Sequence, residues 1–161
     1  MYLLDANVLI QAKNFYYRFD IFPMFWDWLD GEQQKGALAS IIPVYEELAK
    51  GTDELSKWVK QRQHDGWFLP VDEEATQHEF SDIAVWVMDS HFKDQAKKDF
   101  LSVADPWLVA KAVSIGGVVV THEKLFDPNI RRKVKIPNVC NAFGVECIDT
   151  FDLLNRLGAK F

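Results

Sequence analysis

Short apolar segments alternate with helix-forming segments along the chain, and this alternation constrains the fold more than any other feature. The run YLLDANVLI over residues 2–10 is apolar on both faces apart from Asp5 and Asn7. Such a run is typical of a central parallel strand covered by helices on both sides, and it predicts a strand at about 2–9. The β-branched run VVVT at 118–121 predicts a second buried strand. Further strands are predicted at about 37–42, 67–71 and 145–148.

Helical segments separate these strands. In residues 73–92 the apolar side chains recur at helical spacing, which gives the clearest helix. Asp105 followed by Pro106 predicts a helix with Asp105 as its N-cap, and Gly116-Gly117 ends it. Other helices are predicted at 21–34, 43–50, 52–63 and 150–157. The pattern predicts an α/β fold, a three-layer sandwich around a mostly parallel sheet, and a single domain over residues 1–161.

The composition excludes several classes of protein. With 161 residues, 48% apolar and 14% aromatic, the chain is neither disordered nor of low complexity. Acidic residues number 24 against 18 basic ones, so the formal net charge is −6. The surface as a whole therefore cannot act as a polycation. Any binding of nucleic acid has to come from a local basic patch or from metal ions.

The cysteines and the N-terminal residues favour a cytoplasmic location. Cys140 and Cys147 form neither a disulfide framework nor a CxxC pair, which is typical of a reducing compartment. The early apolar run contains Asp5 and has no basic residues before it, unlike a signal peptide. No apolar stretch reaches the roughly 18 residues needed to span a bilayer. We expect no contact with a membrane.

Four acidic residues follow or precede the predicted strands. Asp5 lies in the first strand, Glu47 on the helix after the second, Asp105 before the strand at 118–121, and Glu123 directly after that strand. Parallel sheets bind ligands at the carboxyl ends of their strands. Carboxylates gathered there repel one another unless a divalent cation neutralises them, and Mg²⁺ and Mn²⁺ prefer oxygen ligands. The pattern therefore predicts a site for Mg²⁺ or Mn²⁺.

Each acid also has an ordinary structural explanation. Asp5 could bond to nearby backbone at a strand end, and Glu47 could be a solvated helix residue. Asp105 could serve only as a helix cap, and Glu123 could stand in the first turn of a helix because of the helix dipole. The occurrence of all four in order at strand ends favours the metal site.

Four segments carry a resemblance to a known family. LLDANVLI, PVYEELAKG, ADPWLVAKA and VVVTHEKLF, which together span residues 3–126, resemble the four-block signature of PIN-domain nucleases, including the toxin ribonucleases of toxin–antitoxin pairs. The resemblance implies that Asp5, Glu47, Asp105 and Glu123 are catalytic and bind the metal, with Asn7 and Thr121 as polar residues beside it. It also implies RNA as substrate, products with a 5′-phosphate and a 3′-hydroxyl, and a protein antitoxin as partner.

The sequence departs from this signature in three respects. The fourth acid is usually Asp, and Glu123 is one methylene longer. Glu46 adjoins Glu47, so the choice between them rests on the Glu-Leu step of the motif. The segment between the second and third blocks is long and rich in Trp. These departures indicate a divergent subgroup of the PIN-domain superfamily.

Two other clusters could serve an RNA-binding protein. The segment 15–28 holds eight aromatic residues, which could stack on bases but are better explained by core packing together with a homodimer or partner contact. Arg131, Arg132 and Lys133 form a basic cluster close to Glu123, and either a solvated turn or contact with RNA phosphates explains it. His122 adjoins the predicted site, but a lone histidine is more often a bystander.

These observations predict a metal-dependent endoribonuclease and leave two alternatives. A PIN-like scaffold or partner-binding module without catalytic activity would not require all four acids. An aspartyl-nucleophile phosphatase would need a second Asp two residues after Asp5 as general acid. That position is Asn7, which cannot donate a proton in this role.

Overall fold

A five-stranded sheet, parallel throughout, forms the centre of the protein. The computed structural model describes residues 1–124 and 129–161. The strands are β1 (Tyr2–Leu4), β2 (Leu38–Ile41), β3 (Phe68–Leu69), β4 (Val118–Val120) and β5 (Cys147–Ile148). Their order across the sheet is β3-β2-β1-β4-β5, so β1 is central. The prediction of an α/β fold with a parallel sheet is confirmed.

Helices in the described residues cover both faces of this sheet. They are α1 (Ala6–Gln11), α2 (Pro23–Gln34), α3 (Ile42–Ala49), α4 (Glu54–Gln61), α5 (Glu74–Asp89), α6 (Asp94–Leu101), α7 (Asp105–Ile115), α8 (Ile136–Ala142) and α9 (Thr150–Arg156). A π-helical turn, Ala12–Tyr16, continues α1. None of these helices has the length and apolar character needed to cross a membrane.

The strand order explains the three layers. The chain moves from β1 to β2 to β3 in one direction and then returns to β4 and β5 on the other side of β1. Right-handed crossovers therefore place α1 to α4 on one face and α5 to α8 on the other. In agreement, α7 packs on β2, β4, α5 and α8, while α3 packs on β2, α1 and α4. The direction reverses at β1, and open parallel sheets form a ligand-binding crevice at such a point.

The first strand is shorter than predicted. It ends at Leu4, and residues 6–9, which were expected to continue it, belong to α1. Asp5 has extended backbone angles (φ −70°, ψ 152°) and stands as the N-cap of this helix. Val8 and Leu9 are fully buried, so the helix buries the same apolar residues that a strand would have buried. A short apolar run does not distinguish these two conformations.

Other predicted boundaries need smaller corrections. Asp105 is the first residue of α7, and Ala104 is its N-cap, so Asp105 is not the cap that the sequence predicted. The end of α7 is as predicted, because Gly116 has the positive φ of 64° that a C-terminal glycine adopts readily. Besides α1, the helices α6 and α8 were not predicted. Cys140 and Cys147 are free thiols, in agreement with the absence of a disulfide framework.

The aromatic segment 15–28 divides between the core and the surface. Phe25 and Trp26 are buried. Tyr17 stacks on Phe25 with 4.1 Å between ring centroids, and Phe19 stacks on Trp26 at 3.9 Å. Phe15, Tyr16 and Phe22 remain exposed. Core packing therefore accounts for part of the segment, and a homodimer or partner contact through the exposed side chains stays a prediction.

The packing of this segment predicts unequal effects of two truncations. Phe25→Ala should lower the free energy of unfolding by about 3–5 kcal/mol, because Phe25 is 1% exposed and its removal leaves a cavity. Phe22→Ala, at a ring that is 44% exposed, is the matched control and should cost well under half as much. Urea denaturation of both variants measures the difference, and equal losses would contradict this packing.

Candidate active site

Asp5 lies at the junction of β1 and α1 and is fixed to the end of β4. Its backbone amide donates to the carbonyl of Val120 at 3.0 Å. The residue is 2% exposed, and its Oδ2 accepts a hydrogen bond of 2.8 Å from the Thr121 hydroxyl. The backbone amide of Glu123 in turn donates to Thr121 Oγ1 at 3.1 Å. Thr121 therefore holds the Asp5 carboxyl and the start of the Glu123 segment together.

An open cleft of about 400 Å³ lies at this edge of the sheet. Three of the predicted acids, Glu47, Asp105 and Glu123, line it, and so does Asn7. Glu47 lies on α3, Asp105 in the first turn of α7, Glu123 in the segment after β4, and Asn7 in the first turn of α1. Asp5 does not line the cleft, but its carboxyl is close enough to Glu123 and Glu47 for their charges to act on it. The structure thus brings the four acids together from widely separated points of the chain.

Burial and mutual repulsion raise the pKa of two of these acids. Desolvation raises the pKa of Asp5 to about 6, and the charges of Glu123 and Glu47 add to this effect. The hydrogen bond from Thr121 and the backbone amide of Asn7 act in the opposite direction. Desolvation raises the pKa of Asp105 to about 7, with contributions from the charges of Asp5, Glu123 and Glu47. The cleft therefore holds more negative charge than its surroundings stabilise.

Glu123 is engaged on both carboxylate oxygens. Oε1 accepts a hydrogen bond of 2.9 Å from the ammonium group of Lys133, and Oε2 accepts one of 2.9 Å from the backbone amide of Ile136. The hydrogen bond to Glu123 is the main reason why the pKa of Lys133 is raised, and the charges of Asp105 and Asp5 contribute. Lys133 is also the basic group that lowers the pKa of Asp105.

The geometry distinguishes Glu47 from Glu46. Both side chains are exposed on α3. Both line a neighbouring cavity with Pro43, Lys50 and Trp107, but of the two only Glu47 also lines the acidic cleft. The charge of Glu47 also acts on Asp5 and Asp105. The position that the Glu-Leu step indicated is therefore the one that faces the other acids.

The chemistry of the site suits a hard divalent cation, but the carboxylates do not surround a single point. All four acids offer carboxylate oxygens, which Mg²⁺ and Mn²⁺ prefer. Two of them are short of compensating charge, as their raised pKa values show. Within residues 1–124 and 129–161, however, no group of three or more His, Cys, Asp or Glu side chains is arranged to hold a metal ion. Glu123 in particular is held by Lys133 and Ile136.

The predicted basic cluster is split by the structure. Arg132 and Lys133 line the acidic cleft, together with Val134. Arg131 does not line it, and its backbone carbonyl accepts a hydrogen bond of 2.9 Å from the amide of Lys93, in front of α6. Contact with RNA therefore stays a prediction that the geometry favours for Arg132 and Lys133.

Helix α6 supplies cleft residues that the sequence did not indicate. Ala96, Asp99 and Phe100 line the cleft from this helix. The pattern that could have revealed them is the spacing of Ala96 and Phe100, which lie four residues apart and are both buried. The contact between Lys133 and Glu123 was also missed, because nothing in the sequence pairs a particular lysine with a particular acid.

His122 lies beside the site without entering the acidic cleft. Its Nε2 is 2.9 Å from the hydroxyl of Thr150, and its ring stacks on Tyr16 with 6.0 Å between centroids. Burial lowers its pKa, which favours the neutral ring. These contacts agree with the interpretation of His122 as a bystander.

The chain belongs to the family DUF4411, a domain of unknown function, whose model matches residues 2–161. No curated protein and no solved structure matches the chain. The four-block resemblance therefore stays a prediction. Leu125 and Phe126, the last two residues of its fourth block, lie outside the described residues.

The raised pKa values predict how stability depends on pH without divalent cations. Folding raises the pKa of Asp5 from 3.8 to about 6, so the folded state binds this proton more tightly than the unfolded chain does. Stability should fall as the pH rises from about 4 through 6, by about 3 kcal/mol from Asp5 alone, and the loss should continue to about 7 because of Asp105.

Asp5→Asn should remove part of this dependence and should be at least as stable as the parent at pH 7 without metal. Asp99→Asn removes a charge from the same cleft and is the matched control. Urea denaturation at several pH values in chelator measures both variants. A parent protein whose stability rises between pH 4 and 7 would contradict this account of Asp5 and Asp105.

Proposed function

We propose that this protein is a ribonuclease that hydrolyses RNA phosphodiester bonds with the help of Mg²⁺ or Mn²⁺. The observation that carries the proposal is the convergence of Asp5, Glu47, Asp105 and Glu123 at the carboxyl edge of β1 and β4. These are the acids of the four-block resemblance, and they approach one another although up to 118 positions separate them in the sequence, Asp5 to Glu123. A structural cap or a solvated glutamate has no reason to lie beside three other carboxylates.

The four acids are the residues that would hold the cation. When bound, the divalent cation lowers the pKa of water and stabilises the negative charge that develops on a phosphodiester during hydrolysis. Asp5 is already positioned for this role, because Thr121 fixes one carboxylate oxygen and burial excludes water around it. Asp105 lies in the first turn of α7, whose unpaired amides provide a favourable field for anions.

The remaining cleft residues suit an RNA backbone. Arg132 and Lys133 supply positive charge on one wall, and Asn7 offers a side-chain amide to a phosphate oxygen. In the hydrolysis, the oxygen of water bonds to phosphorus, the bond from phosphorus to the 3′-oxygen breaks, and that oxygen takes up a proton. The resemblance implies this polarity of cleavage, in which one product ends in a 3′-hydroxyl and the other begins with a 5′-phosphate.

The same resemblance suggests the biological setting. We propose that the protein acts in the cytoplasm, as the toxin of a toxin–antitoxin pair. Phe15, Tyr16 and Phe22 remain exposed on one segment and offer an apolar surface to a protein antitoxin or to a second copy. The alternatives are a scaffold without catalytic activity and an aspartyl-nucleophile phosphatase. For the phosphatase, the residue two positions after Asp5 is an amide, Asn7, which cannot serve as the general acid.

Removal of the Asp5 charge should abolish RNA cleavage. Asp5→Asn keeps the shape of the side chain but removes a ligand charge. We expect cleavage activity to fall by more than about 100-fold, since substitution of residues that only support a metal ligand already lowers activity by about 10–100-fold. Thr121→Val removes the hydrogen bond to Asp5 and should lower activity by this smaller factor. The assay is degradation of a mixed RNA pool in Mn²⁺.

Two controls make this assay decisive. Asp99→Asn changes another acid of the same cleft and should retain most of the activity. Added chelator should stop cleavage by the parent. Cleavage that survives both the chelator and Asp5→Asn would indicate a contaminant, whereas no cleavage of any RNA and no stabilisation by Mn²⁺ would favour the scaffold. Release of phosphate from a phosphomonoester by the parent would favour the phosphatase.

A further inference from the structure

The ion pair between Lys133 and Glu123 joins two unequal environments. The side chain of Glu123 is 10% exposed, and that of Lys133 is 62% exposed. Lys133 lies in the segment that leads from β4 to α8, and its ammonium reaches back over ten positions to Glu123 Oε1 at 2.9 Å. The acid is therefore fixed in the wall of the cleft, whereas the base is a flexible side chain whose charge lies close to water.

Lys133 acts on more than one of the four acids. Its charge lowers the pKa of Asp105, and the charges of Glu123, Asp105 and Asp5 all raise its own pKa. The ammonium is thus attracted by three carboxyl groups that repel one another. This is the electrostatic role that a divalent cation would have in the same cleft.

The same contact occupies the Glu123 oxygen that a cation would need. Glu123 Oε2 accepts a hydrogen bond from the backbone amide of Ile136, whereas Oε1 accepts one from Lys133. A cation that approached Oε1 would have to displace the ammonium. Because the Lys133 side chain is 62% exposed, its ammonium can return to water, so the displacement costs little compared with what a divalent ion gains from several carboxylates.

We propose that Lys133 is the internal counter-ion of the acidic cleft in the metal-free protein, and that a divalent cation takes its place on Glu123. This inference rests on the proposed function for the presence of the cation. No bond is made or broken in the exchange, and only an ion pair is replaced. The released ammonium stays on the cleft wall beside Arg132, where it faces the phosphate of an incoming RNA.

The test measures the affinity for Mn²⁺ of the parent and of three variants, without RNA. Lys133→Met removes the competing charge, and Lys133→Arg keeps it. Arg132→Met removes an equal charge from the same cleft without breaking a hydrogen bond to Glu123 and is the matched control. Electron paramagnetic resonance of free Mn²⁺ in a titration gives each dissociation constant, and circular dichroism establishes that each variant is folded.

If Lys133 competes with the cation, Lys133→Met should bind Mn²⁺ at least about tenfold more tightly than the parent. Lys133→Arg should stay within about threefold of the parent, and Arg132→Met should change far less than Lys133→Met. In chelator, Lys133→Met should melt about 2–4 °C below Arg132→Met, because Glu123, whose side chain is 10% exposed, loses its counter-ion. Added Mn²⁺ should restore this loss.

Three results would overturn the proposal. Unchanged or weaker Mn²⁺ binding by Lys133→Met would mean that Lys133 supports the site instead of competing with the cation. An equal gain in Lys133→Met and Arg132→Met would mean a general effect of charge. Absence of Mn²⁺ binding by the parent and all variants would exclude the exchange. A different outcome separates the two proposals. If the parent binds Mn²⁺ but cleaves no RNA, the proposed ribonuclease activity is wrong, and the Mn²⁺ affinity of Lys133→Met still decides the exchange.

Discussion

The burial of the Asp5 carboxyl at the end of the central strand is the constraint on which the site depends. A carboxyl group on a residue that is 2% exposed needs compensation, and here Thr121 supplies one hydrogen bond while the nearest charges are acidic. A fold that only had to be stable would gain from an apolar residue at this position. The strand order places Asp5 where the chain reverses its direction across the sheet, close to the cleft that Glu47, Asp105 and Glu123 line.

The charge balance of the cleft follows from this constraint. The protein carries a formal net charge of −6, and the acids Glu47, Asp105 and Glu123 line the cleft that we propose for a polyanionic substrate. Lys133 and Arg132 provide the local positive charge in this cleft, and Lys133 is already paired with Glu123. Binding of a divalent cation would neutralise the acids and leave both basic side chains to the substrate. Cation and RNA would then bind cooperatively, because each lowers the electrostatic cost of the other.

The long aromatic segment has a structural role that is separate from the site. Tyr17 and Phe19 stack on the buried rings of Phe25 and Trp26, which lie on α2. Trp26 continues this packing to Trp58, which in turn contacts Trp67. The exposed rings of Phe15 and Tyr16 form a second group of aromatic contacts with His122 and Phe151. The segment therefore contributes to two aromatic groups, one in the core and one on the surface beside His122.

Sequence alone determined the features that depend on local composition and order. The apolar runs indicated the strands, Gly116 indicated the end of α7, and the order of the four acids along the chain singled them out as candidates. The sequence could not show that the run after Leu4 turns into a helix at Asp5, because Val8 and Leu9 are buried equally well by either conformation. Tertiary structure also decided that Glu47 rather than Glu46 faces the other acids, and that Lys133 pairs with Glu123. These contacts arise where separate segments meet, and the energy of such a contact depends on distance in space, which sequence spacing does not specify.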